Sequence, residues 1–192
     1  MSSPRHRLAS RGFTLIELII TIALVAVILG IGVPSLTSML RDNAIVAITN
    51  ELVADLQFAR SEAIKRNQPV AICRANAALD GCVADASWEN GWIVFPESAG
   101  AANGTLDAGE TVIRTHNGVT AGDATIRVPG NATNLAGVVI FQSDGVPMNA
   151  VGQSLRGSLR ICDGGHLDSA REVAISRSGN VRAQRGVVTA CP

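Results

Sequence analysis

With 192 residues, 16 basic and 16 acidic side chains, the chain has room for one domain and an anchoring segment, not for a multidomain assembly. Four Phe, two Trp and no Tyr against 19 glycines exclude a large aromatic core and favour a β-rich domain with many turns. The formal charge of zero conceals an uneven distribution along the chain.

Residues 1–12 hold Arg5, Arg7 and Arg11 and no acid. Phe13 then opens an apolar run to Val33, in which Thr14, Glu17 and Thr21 are the polar side chains. About 20 apolar residues as a helix, at ~1.5 Å each, cover the hydrocarbon core of a bilayer. The run is too long for an ordinary secretory signal peptide, and no A-x-A site follows it. The basic flank predicts a cytoplasmic N-terminus, with everything after Pro34 exported. Glu17 is the anomaly. A carboxylate within a spanning helix costs about 2.5–3.5 kcal/mol even on lenient scales, and such residues usually have a function. The alternative is a plain membrane anchor whose Glu17 snorkels toward the interface.

The stretch Gly12-Phe13-Thr14-Leu15-Ile16-Glu17 resembles the class III signal of type IV prepilins and type II secretion pseudopilins. The resemblance implies cleavage by prepilin peptidase between Gly12 and Phe13, then N-methylation of the new Phe13 amine. It also implies an assembly role for Glu17, whose carboxylate would neutralise the terminal amine of a neighbouring subunit in an apolar fibre core.

Gly30, Gly32 and Pro34 predict a kink or a locally melted segment, because proline removes a backbone donor and clashes with the preceding turn. Beyond it, Leu36, Leu40, Ile48, Leu52, Leu56, Ala59 and Ala63 form an apolar stripe at helical spacing. Arg41, Asp42, Glu51, Asp55, Arg60, Glu62, Lys65 and Arg66 fill the polar positions. Asn67 and Pro69 end the helix. A helix continuous from Phe13 to Arg66 would measure about 80 Å at ~1.5 Å per residue. After Pro69, short β-type runs occur at Val70–Cys73, Trp92–Phe95, Thr111–Ile113, Thr125–Val128, Val138–Phe141, Leu159–Ile161 and Glu172–Ile175, with Val181 in a last one. Turn clusters separate them, notably the flexible loop Ser98–Gly109 and Ser143-Asp144-Gly145. One antiparallel sheet, or two small ones, should fold against the outer half of the helix.

Leu56–Arg66, Trp88–Phe95, the turn Asp107-Ala108-Gly109-Glu110 and a strand ending in Cys near the C-terminus resemble the GspH/FimT branch of minor pilins. The fold this implies is α+β and pilin-like: a long N-terminal transmembrane and amphipathic α-helix packed on a C-terminal antiparallel β domain. The expected divisions are a cleaved leader (1–12), a transmembrane and fibre-core helix (13–33), its amphipathic continuation (34–66) and a β domain (67–192) that includes 34–66 in its packing.

Four cysteines in an exported domain predict two disulfides. Of three possible pairings, Cys73–Cys82 and Cys162–Cys191 are expected: the first closes a short loop and the second ties down the C-terminus. Zinc is disfavoured, since no C-x-x-C occurs and His6, His116 and His166 are scattered. Asn103–Glu110 faintly resembles a calcium loop but lacks the D-x-[DN]-x-[DN]-G ligand series, so a hairpin turn is expected. No nucleophile elbow, Walker loop or H-E-x-x-H is present, so no enzyme activity and no cofactor are expected.

Without the three leader arginines, 13 basic face 16 acidic residues, net −3. From Asn67 to Met148 there are 3 basic and 8 acidic residues; from Asn149 to Pro192 there are 6 Arg and 3 acids. In DNA-uptake members of the branch, a C-terminal Gly-Arg-x-Arg segment binds DNA; here Gly179-Asn180-Val181-Arg182 lacks the first Arg. Arg171, Arg177, Arg182 and Arg185 are the candidate phosphate contacts, against an ordinary solvated hairpin.

The function this implies is that of a minor type IV pilin, a subunit helping to initiate or cap pilus assembly. The alternatives are an H-type minor pseudopilin of a type II secretion system and a pilus-associated DNA-binding subunit for transformation. The implied partners are other minor and major pilins, prepilin peptidase, the inner membrane and, through the arginines, DNA. The expected location is the inner membrane as a single pass with a periplasmic domain, then the fibre.

Overall fold

The computed structural model describes residues 12–84, 87–98, 102–119, 124–129, 135, 137–164, 166–185 and 191. Arg5, Arg7, Arg11 and His6 lie outside them, as does 99–101 of the expected loop. Among the described residues, one helix, α1 (Leu15–Arg66), is followed by nine strands: β1 (Val70–Arg74), β2 (Gly91–Pro96), β3 (Arg114–Asn117), β4 (Ala124–Arg127), β5 (Val138–Phe141), β6 (Pro147–Met148), β7 (Gly157–Asp163), β8 (His166–Ile175) and β9 (Val181–Arg185). A 3-10 turn, Trp88–Asn90, leads into β2. The chain divides into two units, one ending at Leu40 and one beginning at Arg41.

In the first unit every side chain from Gly12 to Leu40 is exposed, and the helix meets the length and composition for a membrane span. The melted segment expected at Pro34 is absent, because α1 runs through it. Gly30, four residues before the proline, and Gly32 carry no side chains in that turn, and a Cβ on either would meet nothing within 4 Å. Thr37 Oγ1 and Ser38 Oγ donate to the carbonyls of Pro34 and Ser35 at 2.9 and 2.8 Å, satisfying acceptors in the next turn.

The second unit contains two antiparallel sheets, in the orders β3-β2-β1-β5-β6 and β4-β7-β8-β9. Both contribute to one core with α1: Ile45, Ile48, Leu52, Leu56, Ala59 and Ala63 pack with Val70, Ile72, Trp92, Val94, Val139 and Phe141 of the first sheet. Ile126, Leu159, Ile161, Val173, Ile175 and Val181 join from the second. The buried stripe therefore begins at Ile45; Leu36 and Leu40, placed in it by spacing, are about 60% exposed. The far face of the first sheet is buried too, with Ala71, Cys73, Ile93, Phe95 and Ile140 covered by Leu79, Ala102, Leu106 and Val112.

Three details depart from the sequence reading. The strand expected at Thr111–Ile113 lies one step later, as β3: Ile113 N–H donates to Val94 O at 2.8 Å, and polar residues carry the ladder onward. An edge strand with one neighbour does not need an apolar pattern. Strand β6 has two residues, too short for a period. Asp55, read as a solvated position of α1, is buried: its carboxylate accepts Trp92 Nε1–H and Arg114 Nη1–H, both at 2.8 Å. Arg114 also lies over the Phe58 ring, 4.1 Å from its centroid.

Cys73 is bonded to Cys82 and Cys162 to Cys191, closing separations of 9 and 29 residues. The first bond joins the far face of the first sheet to the segment after β1. The second holds Cys191 against Cys162 and Ala170 on the second sheet.

Candidate functional site

Two places hold the residues singled out by sequence: the start of α1 and the C-terminal strands. At the first, Phe13 is 81% exposed and Thr14 is the residue before the helix. Thr14 Oγ1 accepts the N–H of Glu17 at 3.3 Å, and Thr14 O accepts that of Leu18 at 3.2 Å. Thr14-Leu15-Ile16-Glu17 is thus an N-capping sequence, T-x-x-E, a signal present in the sequence and not used there. Glu17 sits in the first turn, where the exposed backbone N–H groups favour a negative charge. A Cβ on Gly12 would meet nothing within 4 Å, so nothing in the described chain demands a glycine there.

The four arginines expected to act together are separated by the sheet. The β7–β8–β9 register sets Ile161, Arg171 and Arg185 side by side, and Ser158, Ala174 and Arg182 side by side. Arg171 is withdrawn from the candidate phosphate contacts. It is 7% exposed, and its Nη2 is 2.9 Å from Asp42 Oδ1 of α1. From Arg171 to Arg177 is six residues, about 20 Å at ~3.3 Å per strand residue. Arg177 and Arg182 are exposed near the β8–β9 turn, and Arg185 lies at the other end of β9.

Arg177 instead shares a groove of about 710 Å³ with Arg156, Gly157, Ser158, Ile175, Ser176 and Ser178. Arg156 was not among the sequence candidates: it lies 21 residues from Arg177, and only the β7–β8 register joins them. The turn carrying Arg177 is fixed from the helix. Arg60 Nη2 donates to Ser178 O at 3.0 Å, and its Nε donates to Gly145 O, in the β5–β6 turn, at 3.2 Å. Gly179, at φ +76°, closes against that turn; a Cβ there would lie 2.0 Å from Gly145 O.

The stretch with a faint calcium-loop pattern is organised by carboxylates. Glu97 is fully buried and accepts the N–H groups of Gly104 and Asn103 at 2.8 and 3.2 Å. Glu110 accepts those of Ser98 and Asp107 at 2.6 and 2.9 Å. Burial pushes the Glu97 carboxyl up to about 7; the charges of Glu110 and Asp107 add to this, and the two loop N–H groups oppose it. Among the described residues, no group of three His, Cys, Asp or Glu is placed to hold a metal.

Residues 49–179 match the family model described as type II transport protein GspH, and residues 7–33 match the prokaryotic N-terminal methylation motif. The type IV minor pilin FimU of Pseudomonas aeruginosa strain PAO1 has a similar fold in two crystal forms. In the first, identity is 24% over 74% of this chain and 89% of that one, with a TM-score of 0.55; in the second it is 22% over 72% and 90%, with 0.51. The minor pseudopilin EpsH of the Vibrio cholerae type 2 secretion system covers 74% of this chain and 97% of its own at 10% identity and a TM-score of 0.44. No curated protein sequence matches significantly.

Proposed function

The chain belongs to the GspH family of type II transport proteins, and from that premise we propose that it is a non-catalytic minor pilin that helps to initiate or cap a type IV pilus. One observation carries the reading. From Phe13 to Leu40 the apolar side chains are exposed, and the first turn of that helix holds one carboxylate, Glu17. Such a surface calls for a bilayer first and other subunits later. In this reading, prepilin peptidase removes residues 1–12, the Phe13 amine is methylated, and the domain from Arg41 onward occupies the periplasm until the subunit enters the fibre. Glu17 then meets the Phe13 amine of a neighbour.

The test uses Gly12. Because a Cβ there meets nothing, Gly12→Val should leave the fold intact and block maturation. Coexpression with a prepilin peptidase should shift the native band by the mass of the leader and leave the variant unshifted. A native band that stays in place while a control pilin is cut would remove the reading.

The second reading, an H-type pseudopilin of a type II secretion system, shares every step up to assembly. Recovery in sheared pili supports the pilus; a secretion defect on deletion, with pili intact, supports the pseudopilus. DNA binding retains a narrower basis, since Arg156, Arg177 and Arg182 remain exposed at one end of the second sheet. Three phosphate contacts predict a log–log salt slope of about −3 on duplex DNA and affinity near the non-specific level.

A further inference from the structure

We infer that the groove between Arg156 and Arg177 docks a carboxylate-bearing segment of a neighbouring subunit. Arg156 directly precedes β7, and Ser176–Ser178 directly follow β8, so two adjacent strand ends bring them together. Among the described residues neither arginine has an acidic partner, and no acid lines the groove. Ser176 Oγ and Ser178 Oγ are 3.0 Å apart, and Ser176 Oγ accepts the N–H of Asn180 at 3.0 Å. The lining thus offers two planar guanidinium forks and serine hydroxyls, a donor set that suits the two coplanar oxygens of a carboxylate.

The site is preorganised. Ser176 N–H donates to Asn180 O at 3.0 Å and Gly179 N–H to Ser176 O at 2.9 Å, while Arg60 holds Ser178 O from the helix. A partner therefore orders little more than the two arginine side chains.

Charge selects the class of partner. A nucleic acid gains affinity by the number of phosphates neutralised; Arg171 and Arg185 are removed from this end of the sheet by burial and by distance, and Arg182 is not part of the groove lining. Two forks in one groove match one or two carboxylates. Between Asn67 and Met148 this chain carries 8 acids against 3 basic residues, with Asp80, Asp107 and Asp144 exposed, so a second subunit of the same kind offers carboxylates. The assembly reading supplies only the identity of the partner; the binding measurement needs no fibre, so its failure leaves the Gly12 test untouched.

Full-length protein in detergent, titrated against fluorescein-labelled hexaglutamate with hexaglutamine as control, should show saturable anisotropy for the acidic peptide alone. Arg156→Gln and Arg177→Gln should each weaken it about tenfold, the loss of one charge-assisted contact. Arg185→Gln should change it less than about twofold, being exposed and on another part of the sheet. Both groove variants should melt like the native protein, since their side chains are exposed. No saturable hexaglutamate binding overturns the inference. So does an equal loss with Arg185→Gln, which would mean diffuse attraction. Tighter binding of a labelled 12-base-pair duplex, with the same dependence on Arg156 and Arg177, would reassign the groove to nucleic acid.

Discussion

Leu24 and Leu52 are two leucines of one helix, and they belong to different solvents. Leu24 is 59% exposed, within a stretch where every side chain from Phe13 to Leu40 is exposed. Leu52 is fully buried, between turns that carry Ile48, Leu56 and Ala59 into the core. Up to Val33 the apolar residues run round the whole helix; from Ile45 the buried ones return every third or fourth residue. In the second stretch the fold supplies the apolar surroundings. In the first, on the function proposed above, they would come from lipid or from neighbouring subunits.

The contrast can be broken most sharply at Glu17. Glu17→Val removes the costly charge, so membrane insertion should persist or improve, while incorporation into sheared pili should be lost. Normal incorporation would make the exposed half of α1 a mere anchor. Next comes one substitution made twice: Leu52→Ala should destabilise the domain by about 2–5 kcal/mol, whereas Leu24→Ala should leave its unfolding within about 0.5 kcal/mol. Chemical denaturation of both variants in the same detergent decides it. The disulfides follow. Replacing either pair with serine should cost about 2–4 kcal/mol, with Cys162–Cys191 costing about 1 kcal/mol more because it closes the longer loop. Peptide mapping of non-reduced protein checks the pairing first.

The last effect is a slope. The folded Glu97 carboxyl titrates at about 7 against an ordinary value of 4.5, so between these values the native state holds more protons than the unfolded one. Stability should fall as pH rises from 4.5 to about 7, by at most about 1.4 kcal/mol per pH unit, and be flat on either side. Glu97→Gln should remove that component while losing one of the two loop contacts. An unchanged slope in the variant would assign the pH dependence to other groups. Leu24→Ala should leave the slope as it is.

Most of the fold was legible because apolar side chains announce it. The runs at Val70, Trp92, Val138, Leu159 and Glu172 are strands β1, β2, β5, β7 and β8, since each buries at least one face. Strand β3 was displaced in the reading because Arg114, Thr115 and Asn117 are polar and exposed, and its pairing comes from the neighbouring β2 backbone. Spacing alone puts the start of the buried helical stripe at Leu36, too early, because it does not tell a residue facing its own core from an exposed one. The arginines were grouped by proximity in the chain. Strand geometry regroups them: alternation turns Arg171 inward to Asp42, length separates Arg185, and register brings Arg156 to Arg177. None of these operations leaves a mark in a local charge count. Asp55 shows the same limit, a carboxylate buried because Trp92 and Arg114 reach it from elsewhere in the chain.

The guanidinium of Arg60 touches the β5–β6 turn of one sheet and the β8–β9 turn of the other, where Gly179 fits against Gly145. Neither sheet can melt at that end without releasing a donor held by both, and the two already share a core around α1. Heat or denaturant should therefore meet a single cooperative block from Ile45 to Arg185, with one transition for both sheets and calorimetric and van't Hoff enthalpies in agreement. Slowly exchanging amides should occur in β1, β2, β7 and β8 alike, with no sheet forming a weaker foldon of its own. Arg60→Ala would be the substitution that splits the block, letting the hairpin tips of the two sheets open at different temperatures.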